Sequence, residues 1–585
     1  MKKILYIFIA IALLQSCNNG NKSGSVGLGN SDFEKFKNGF VEELWKTYPG
    51  WATSVGYHKY DSVLLIPDEA RRQSELQFAK GVDDSLKRFN FDSLSPNNKT
   101  DYKLIANFTE GVRFNIDEFK SYEWDPSYYN VGETLFNVVD YKKMPLDEKL
   151  LNISKKLAKV SAYFEAAKKN INKPTKEHTQ LAIDQNKGSI YFFEKVFPDS
   201  LKASKLNDSQ VAEFKRNSDA AKKAVEDYVS WLQNNVLAKM DSTNSRSFRI
   251  GKELYAKKFK LDIDSRYSAA EMYQKAEDRK NFLHNEMSAI TDKLWSKYFP
   301  AQRAPADTLA KIKMMIDKIS LQHCKRDEFL QTIEKQLPEL TAFINSHHIL
   351  DLDSTKPLKI RKTPEYAAGV AGAGINWPGV YDKDAATYYN VTPLTGYPEE
   401  KAESYLREYN NYVLQILNIH EAIPGHYTQH IYANRQPSII KSILGNGAME
   451  EGWACYVERM MIEEGYNASP EMQLFYDKWN LREACNFILD YNIQCDNWSE
   501  QQVMDLIVKE AFQQSAEAKE KWKRATLSQV QLASYFTGLT EIYELREELK
   551  KKQGDKFDLK KFHEQFLSYG SAPVKETRAL MLGNE

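Results

Sequence analysis

The chain has 585 residues, of which 27% are charged and 42% are hydrophobic, a composition typical of a large globular protein with an ample core. Its 80 basic and 80 acidic side chains balance to a formal net charge of zero. Because a nucleic-acid-binding surface depends on an excess of lysine and arginine, this balance argues against a nucleic acid as partner.

Residues 1–16 have the pattern of a targeting signal. Two lysines precede an apolar run, Ile4 to Leu14, which is too short to span a bilayer as a mature helix. The run leads into Leu-Gln-Ser and Cys17, which resembles a bacterial lipoprotein cleavage box except for Gln15. The resemblance implies a lipid on Cys17 and a place in the bacterial cell envelope, at the outer membrane or its periplasmic face. The alternative is a plain secretory signal followed by an incidental cysteine.

The segment after the signal predicts a tether and then a helical region. Residues 17–31 are rich in glycine, asparagine and serine, which favours a flexible linker of about 20 Å reach. From 32 to 355, apolar residues recur three and four positions apart, so we expect a helical N-terminal region. Its longest predicted helices are Leu150 to Ile171, Ser209 to Leu237 and Ser268 to Tyr298.

The remaining residues, 356–585, carry the chemistry and are expected to form one continuous fold with the helical region. Glycines cluster between residues 356 and 393, which predicts a loop that borders a cleft. Ala386 to Val391 is β-prone and predicts a short strand. Such a strand can pair with an extended peptide or simply close a small sheet. Tyr405 to His420 then predicts a helix that leads into the candidate site.

The sequence NIHEAIPGHYTQH at 418–430 combines the residue types of a catalytic zinc site. A zincin helix carries its two histidines four residues apart, whereas His420 and His426 are six apart and would face different ways on a regular helix. Pro424 and Gly425 interrupt the helix, so we expect a bulge that returns His426 to the metal. Glu421 is then the general base that takes a proton from zinc-bound water.

A rival pairing uses His426 and His430, which are four residues apart and share a helix face without any bulge. It ranks second, because it leaves Glu421 without a role and gives Pro424 and Gly425 no purpose.

The third ligand is expected from the sequence MEEGWACYVERM at 449–460. The packing face of this predicted helix repeats at helical spacing: Met449, Trp453, Tyr456 and Met460. Glu451 lies on a different face and is the predicted ligand, while Glu458 is placed to hold a ligand histidine by its other ring nitrogen. Glu450 is expected to point elsewhere and is the fallback ligand.

Two polar residues of the last third are candidates for substrate contacts. A hydroxyl such as that of Tyr535 can stabilise a tetrahedral oxyanion, and an arginine such as Arg546 can bind a carboxylate bidentately. Composition alone would make the tyrosine a core residue and the arginine a solvated charge.

The motifs HEAIPGHYTQ and EGWACYVE resemble the signature pair of the bacterial domain of unknown function 885 (DUF885) family. Its members are often secreted or lipid-anchored, are mostly α-helical and are regarded as relatives of the gluzincin zinc metallopeptidases. The likeness covers most of the mature chain. It implies a zinc site with ligands His420, His426 and Glu451 and with Glu421 as base.

The resemblance also supports Tyr535 and Arg546 as substrate-contacting residues. The chain departs from the family pattern at Gln494, where histidine is frequent, and at Ser528-Gln529, where a Pro-Gly pair is usual. These departures concern substrate contacts rather than the metal.

These observations predict a mainly α fold: a large all-helical protein with a deep cleft and a small β-element next to a gluzincin-like metal-binding helix pair. The predicted function is zinc-dependent hydrolysis of short peptides, by an exopeptidase or dipeptidase. One alternative is a non-catalytic, lipid-anchored helical protein that binds glycans or peptides. Another keeps the metal in a closed structural site completed by Glu450 or His430.

Overall fold

The computed structural model describes residues 28–141, 143–363, 373–435 and 438–583. The predicted signal, Cys17 and most of the predicted tether lie outside these residues. The first helix begins at Asn30, so the last two positions of the predicted tether belong to its first turn. Among the described residues, no helix is long and apolar enough to cross a membrane.

The N-terminal region is helical, as its periodicity predicts. Its helices are α1 (Asn30–Thr47), α2 (Pro49–Ser54), α3 (Glu69–Leu86), α4 (Pro96–Arg113), α5 (Ser121–Trp124), α6 (Gly132–Asp140), α7 (Leu146–Leu157), α8 (Val160–Asn170), α9 (Lys176–Tyr191), α10 (Phe197–Ala203), α11 (Asp208–Trp231), α12 (Gly251–Asp262), α13 (Ala269–Tyr298), α14 (Thr308–Ile319) and α15 (Phe329–Ser346). The first of the three long predicted helices is divided into α7 and α8, because the chain makes a tight turn in which the Lys159 N–H bonds the Lys156 carbonyl. The third, α13, is fixed at its start by a reciprocal capping box between Ser268 and Glu271.

A three-stranded sheet follows. Its strands are β1 (Leu358–Lys362), β2 (Ala373–Asn376) and β3 (Thr387–Val391). The predicted strand is β3, which pairs in parallel with β1 and antiparallel with β2. The buried Tyr389 of β3 donates a hydrogen bond to Asn418 Oδ1 at 2.8 Å, which fastens the sheet to the next group of helices.

The C-terminal region returns to helices. They are α16 (Glu399–Glu408), α17 (Val413–Glu421), α18 (His426–Ala433), α19 (Ile439–Ile443), α20 (Gly447–Glu463), α21 (Pro470–Cys495), α22 (Glu500–Met504), α23 (Ser515–Leu527), α24 (Ala533–Gln553), α25 (Leu559–Leu567) and α26 (Val574–Leu582). The single helix predicted from Tyr405 to His420 was wrong. The Asn410 side chain accepts hydrogen bonds from the N–H groups of Tyr412 and Val413, and so ends one helix and begins the next.

Among the described residues, three hydrophobic cores hold the helices and the sheet together. The largest joins α12–α15, the sheet and the C-terminal helices, and a second lies among α6–α11. The third, under α1–α4, includes Ile440 and Ile443 of α19. A helix of the C-terminal region therefore completes the core of the first four helices.

The segment 377–382, which leads from β2 toward β3, is fastened to the N-terminal region. A Cβ on Gly379 would collide with the backbone of Val55, so only glycine allows this approach. The Tyr381 N–H donates to the Val55 carbonyl at 3.1 Å, and the Trp45 indole donates to the Tyr381 hydroxyl at 2.9 Å. The first two helices thus hold a segment whose first residue, Trp377, borders the candidate site.

Candidate metal centre

The two histidines meet because the chain is interrupted between them. Helix α17 ends at Glu421 and α18 begins at His426, so the interruption is a complete break rather than the predicted bulge. The turn contains a cis Ile423–Pro424 peptide bond. A Cβ on Gly425 would collide with the carbonyl oxygens of Ile419 and His420, which explains the need for glycine.

The break places the two imidazoles side by side. Their ring centroids are 4.8 Å apart and their planes are nearly perpendicular. Helix α20 supports the turn from below, because the buried Trp453 indole donates to the Pro424 carbonyl at 3.0 Å. A residue predicted only to pack therefore holds the turn in place.

Glu451 of α20 faces both histidines. Its Oε2 lies 3.6 Å from His420 Nε2 and 3.4 Å from His426 Nε2. The three donor atoms lie within 4.8 Å of one another. Two imidazole nitrogens and one carboxylate oxygen with a further open position form a donor set that suits catalytic zinc. The residues therefore fit the metal that the family resemblance implies.

Glu458 orients the first histidine. Its Oε1 accepts a 2.6 Å hydrogen bond from His420 Nδ1 and a 2.9 Å hydrogen bond from the Trp479 indole, and the carboxylate is fully buried. This fixes the tautomer that leaves Nε2 free for a metal, as the sequence predicts. Although burial opposes it, the carboxylates of Glu451 and Glu458 raise the pKa of His420 well above its ordinary value. Burial also opposes ionisation of Glu451, but the two imidazoles lower the pKa of its carboxyl.

A second donor group, His420, Cys455 and Glu458, fits a metal less well. The only imidazole nitrogen facing Glu458 is the Nδ1 that already donates to it. Burial also raises the pKa of the Cys455 thiol well above its ordinary value, whereas a metal binds the thiolate.

The rival ligand His430 is directed elsewhere. Among the described residues it belongs to neither donor group, and its ring stacks on Trp377 with the centroids 3.5 Å apart. Burial and the neighbouring His426 lower its pKa well below the ordinary value.

The donor atoms open into a cavity of about 490 Å³. Its described lining comes from the ends of several helices and from the sheet: Asp262, Ile263, Gly374, Ile375, Trp377, His420, Glu421, His426, Gly447, Ala448, Glu450, Glu451, Val530, Gln531, Ser534 and Tyr535. Glu421, the predicted base, faces this space. Burial raises the pKa of its carboxyl, and the two imidazoles oppose the rise.

Glu450 lines the cavity too, contrary to the expectation that it points elsewhere. Burial raises the pKa of its carboxyl, and the Ser571 side chain opposes this. Adjacent helical positions point about 100° apart, but the cavity is wide enough for both glutamates to line it. Of the two, Glu451 is the one that faces the imidazoles.

The two predicted substrate-contacting residues have different positions. Tyr535 lines the cavity, and its ring stacks at 6.5 Å from that of His420. Arg546 is absent from the described lining. It is a mostly buried side chain that pairs with Glu463 at 2.7 Å and with Glu547 at 2.8 Å. The structure thus brings the tyrosine to the metal site and the arginine to a set of ion pairs.

Several lining residues carry no motif in the sequence. Asp262 ends a helix, and Val530, Gln531 and Ser534 surround the start of α24. Of the two departures from the family pattern, Gln494 is buried behind this segment, where its amide donates to the Ala525 carbonyl at 3.0 Å. For Val530, Gln531 and Ser534, the available signal was their position just before the predicted tyrosine; Asp262 had none.

One family model and several solved structures match the chain. The model for the family "Bacterial protein of unknown function (DUF885)" matches residues 49–581. A protein from Shewanella oneidensis, described as a lipoprotein of unknown function, is 50% identical; the match covers 94% of this chain and 99% of that one, with a TM-score of 0.86. A protein from Colwellia psychrerythraea, also described as a lipoprotein, is 17% identical, with 95% and 99% covered and a TM-score of 0.77.

An M32 carboxypeptidase from Deinococcus radiodurans R1 aligns over 95% of this chain and 96% of its own with 10% identity. Its TM-score of 0.34 is too low to carry an argument. No curated protein matches the chain. Since the family model spans residues 49–581, which is most of the sequence, the chain belongs to the DUF885 family of bacterial proteins of unknown function.

Proposed function

We propose that this protein is a zinc-dependent peptidase that hydrolyses peptide bonds in short peptides. One observation carries the proposal. Two imidazole nitrogens and a carboxylate oxygen converge at the edge of a cavity, with one imidazole fixed from behind and a further acidic residue, Glu421, beside them. A protein that only binds ligands has no need of this arrangement.

His420, His426 and Glu451 would hold the metal. When bound, zinc supplies Lewis acidity, which polarises a carbonyl group and acidifies water. Glu421 would be the general base and then the general acid: its carboxylate accepts a proton from the attacking water and passes it to the leaving amine. Because burial raises the pKa of this carboxyl, it is a stronger base than an exposed glutamate.

Tyr535 and the sheet supply the remaining interactions. The Tyr535 hydroxyl is positioned to donate a hydrogen bond to the oxyanion that develops on the substrate. Gly374 and Ile375 of β2 line the cavity, and β2 is an outer strand of the described sheet. An extended peptide can pair with the backbone of such a strand.

The size of the cavity favours short substrates. A volume of about 490 Å³ accommodates a few residues and is within the range of small-ligand pockets. We therefore propose exopeptidase or dipeptidase action. We also propose that Cys17 carries a lipid that anchors the protein in the cell envelope, which is supported by the cleavage-like sequence and by the description of both similar structures as lipoproteins.

The test separates the base from the ligands. Glu421→Gln keeps the size of the side chain but removes its basicity, so peptide turnover should fall by about 10²–10⁴ while zinc content stays near one per chain. Glu451→Gln should lose zinc, because an amide is a weaker ligand than a carboxylate. Zinc is measured by elemental analysis, and turnover by chromatography of peptide mixtures.

Two outcomes contradict the proposal. Wild-type turnover by Glu421→Gln would remove the general base from the mechanism. If zinc-loaded wild-type protein binds peptides but cleaves none, the protein is a binding protein instead.

A further inference from the structure

Four basic side chains gather behind Tyr535. They lie on α21 and α23, and we name them the basic cluster: Lys478, Arg482, Lys521 and Arg524. Two of them are neutralised by carboxylates. Lys478 pairs with Glu408 at 2.6 Å, and Arg482 pairs with Glu517 at 2.9 Å. The other two, Lys521 and Arg524, leave a local excess of positive charge.

Arg524 is an exposed residue that is not itself among the described lining of the cavity but bonds two residues that are. Its Nη2 donates to the Tyr535 hydroxyl at 2.9 Å and to Gln531 Oε1 at 2.7 Å, and both partners line the cavity. No carboxylate of the described residues lies within ion-pair distance of it. Because a guanidinium has five N–H donors in a planar fork, most of them are available to a ligand.

Lys521 lies one turn before Arg524 on the same helix and is only 3% exposed. Burial, together with the charge of Arg482, lowers its pKa well below the ordinary value, and the Glu517 carboxylate opposes this. Lys521 therefore carries less positive charge than an exposed lysine, so the charge available to a ligand comes from Arg524.

Three glutamates, Glu421, Glu450 and Glu451, line the cavity at the candidate metal site. A bound zinc ion would offset part of their negative charge. The attraction that would direct an anionic group of a substrate therefore comes from Arg524.

We propose that Arg524 binds the free C-terminal carboxylate of the peptide, so that the enzyme is a carboxypeptidase. This inference rests on the proposed peptidase function. Arg524 donates to the hydroxyl of Tyr535, and the ring centroid of Tyr535 is 6.5 Å from that of His420. Tyr535 thus lies between the arginine and the candidate metal ligands, as a carboxypeptidase that removes residues from the C-terminus requires.

The first experiment compares N-acetylated tetrapeptides of neutral residues that end in a free acid or in an amide. Wild-type protein should prefer the acid on the order of 10- to 100-fold in kcat/KM, as expected for hydrogen bonds to a charged group. Arg524→Gln should raise KM for the acid and bring the ratio of kcat/KM for acid to kcat/KM for amide close to one. The control is Lys523→Gln, which removes an exposed charge from the same helix and should keep the preference.

The ratio of kcat/KM for the acid to kcat/KM for the amide shows whether Arg524 binds the substrate or only positions Tyr535. If Arg524 only orients the Tyr535 hydroxyl, Arg524→Gln would slow both peptides equally, which overturns the proposal. Equal cleavage of acid and amide by the wild type would overturn it while leaving the peptidase function intact. A peptide amide ending in glutamate must be as poor a substrate as the neutral amide; if it equals the free acid, the cluster binds acidic side chains instead.

A binding measurement tests the inference without turnover. Calorimetric titration of chelator-treated protein with an N-acetyl dipeptide acid and with its amide should show at least about 10-fold tighter binding of the acid. The difference should disappear in Arg524→Gln and persist in Lys523→Gln. Equal affinities in the wild type would contradict the carboxylate site. Failure of the proposed function would instead appear as acid-selective binding without any hydrolysis.

Discussion

The two sides of the cavity are built differently. The metal wall, formed by His420, Glu421, His426, Glu450 and Glu451, comes from two helix ends and α20, and it is recognisable as a motif. The tyrosine wall, formed by Val530, Gln531, Ser534 and Tyr535, surrounds the start of α24 and has no motif. The metal wall concentrates donors for a cation, whereas cations stand behind the tyrosine wall. Opposite charges on facing walls can orient a substrate that carries a charge at one end.

The largest expected effect is on the metal wall. His426→Ala removes a ligand and should abolish stoichiometric zinc binding, whereas His430→Ala should retain it, because His430 stacks on Trp377 and does not face Glu451. Elemental analysis of the two purified proteins distinguishes them. Zinc loss in His430→Ala together with retention in His426→Ala would show that the rival pair is correct.

A smaller effect on zinc binding is expected from Glu458, which supports a ligand without facing the metal itself. Glu458→Gln should weaken zinc binding by about 10- to 100-fold, because the carboxylate that orients His420 is lost while the ligands remain. Competition with a chelator gives the affinity. Glu463→Gln, on the same helix but paired with Arg546, is the control and should leave the affinity unchanged. An unaltered affinity in Glu458→Gln would mean that packing alone orients the histidine.

The next prediction concerns the contact that joins the two walls. Helices α20 and α24 cross at Gly452 and Gly538, where a Cβ on Gly538 would collide with the Ala448 carbonyl oxygen. Gly538→Ala should therefore destabilise the protein by about 1–3 kcal/mol and lower its Tm. Gly188→Ala is the matched control: it also lies in a helix, its Cβ would meet open space, and it should be neutral or slightly stabilising. Equal Tm values for the two variants would show that the walls separate easily.

The smallest predicted effect lies behind the tyrosine wall. Asp490 accepts hydrogen bonds from the Tyr255 hydroxyl at 2.7 Å and the Val530 N–H at 3.0 Å, and burial raises the pKa of its carboxyl to about 7. The ordinary value is about 4, so the folded state retains a proton that the unfolded state releases. The stabilising effect of this proton is full below about pH 4, declines as the pH rises, and is lost above about pH 7.

Asp490→Asn removes this titration. Between pH 5 and pH 8 the Tm of the wild type should therefore fall by roughly 1–2 °C more than the Tm of the variant. Burial raises the pKa values of Asp477 and Glu541 to about 7 as well, so the variant should keep part of the slope. Parallel curves for the two proteins would contradict the assignment of this proton to Asp490.

The structure brings the predicted donors His420, His426 and Glu451 together, and their meeting could be expected from the sequence because its constraints are local. Two histidines separated by a Pro-Gly break, and two glutamates two turns apart on a nearby helix, are constrained mainly by helix geometry. The mainly α fold and strand β3 also followed from periodicity and β-propensity. The break between α16 and α17 did not, because it depends on the Asn410 side chain competing for backbone N–H groups.

The two arginines show where sequence reasoning ends. The sequence predicts Arg546, and not Arg524, as the carboxylate-binding residue. Glu463 and Glu547 pair with Arg546, whereas the hydrogen-bond partners of Arg524 among the described residues, Gln531 and Tyr535, are neutral and line the cavity. Such differences arise from contacts between helices that are distant in sequence, and no spacing rule reveals them.

The attachment of segment 377–382 has a practical consequence for anyone who wishes to produce only the part of the chain that carries the proposed metal ligands. Every proposed metal ligand lies after residue 400, which makes a shortened gene attractive. Such a fragment would lack Val55 and Trp45, which hold Gly379 and Tyr381. Trp377 would lose its support at the mouth of the cavity, and α19 would expose Ile440 and Ile443 to water. Expression trials should therefore retain the chain from the first helix onward.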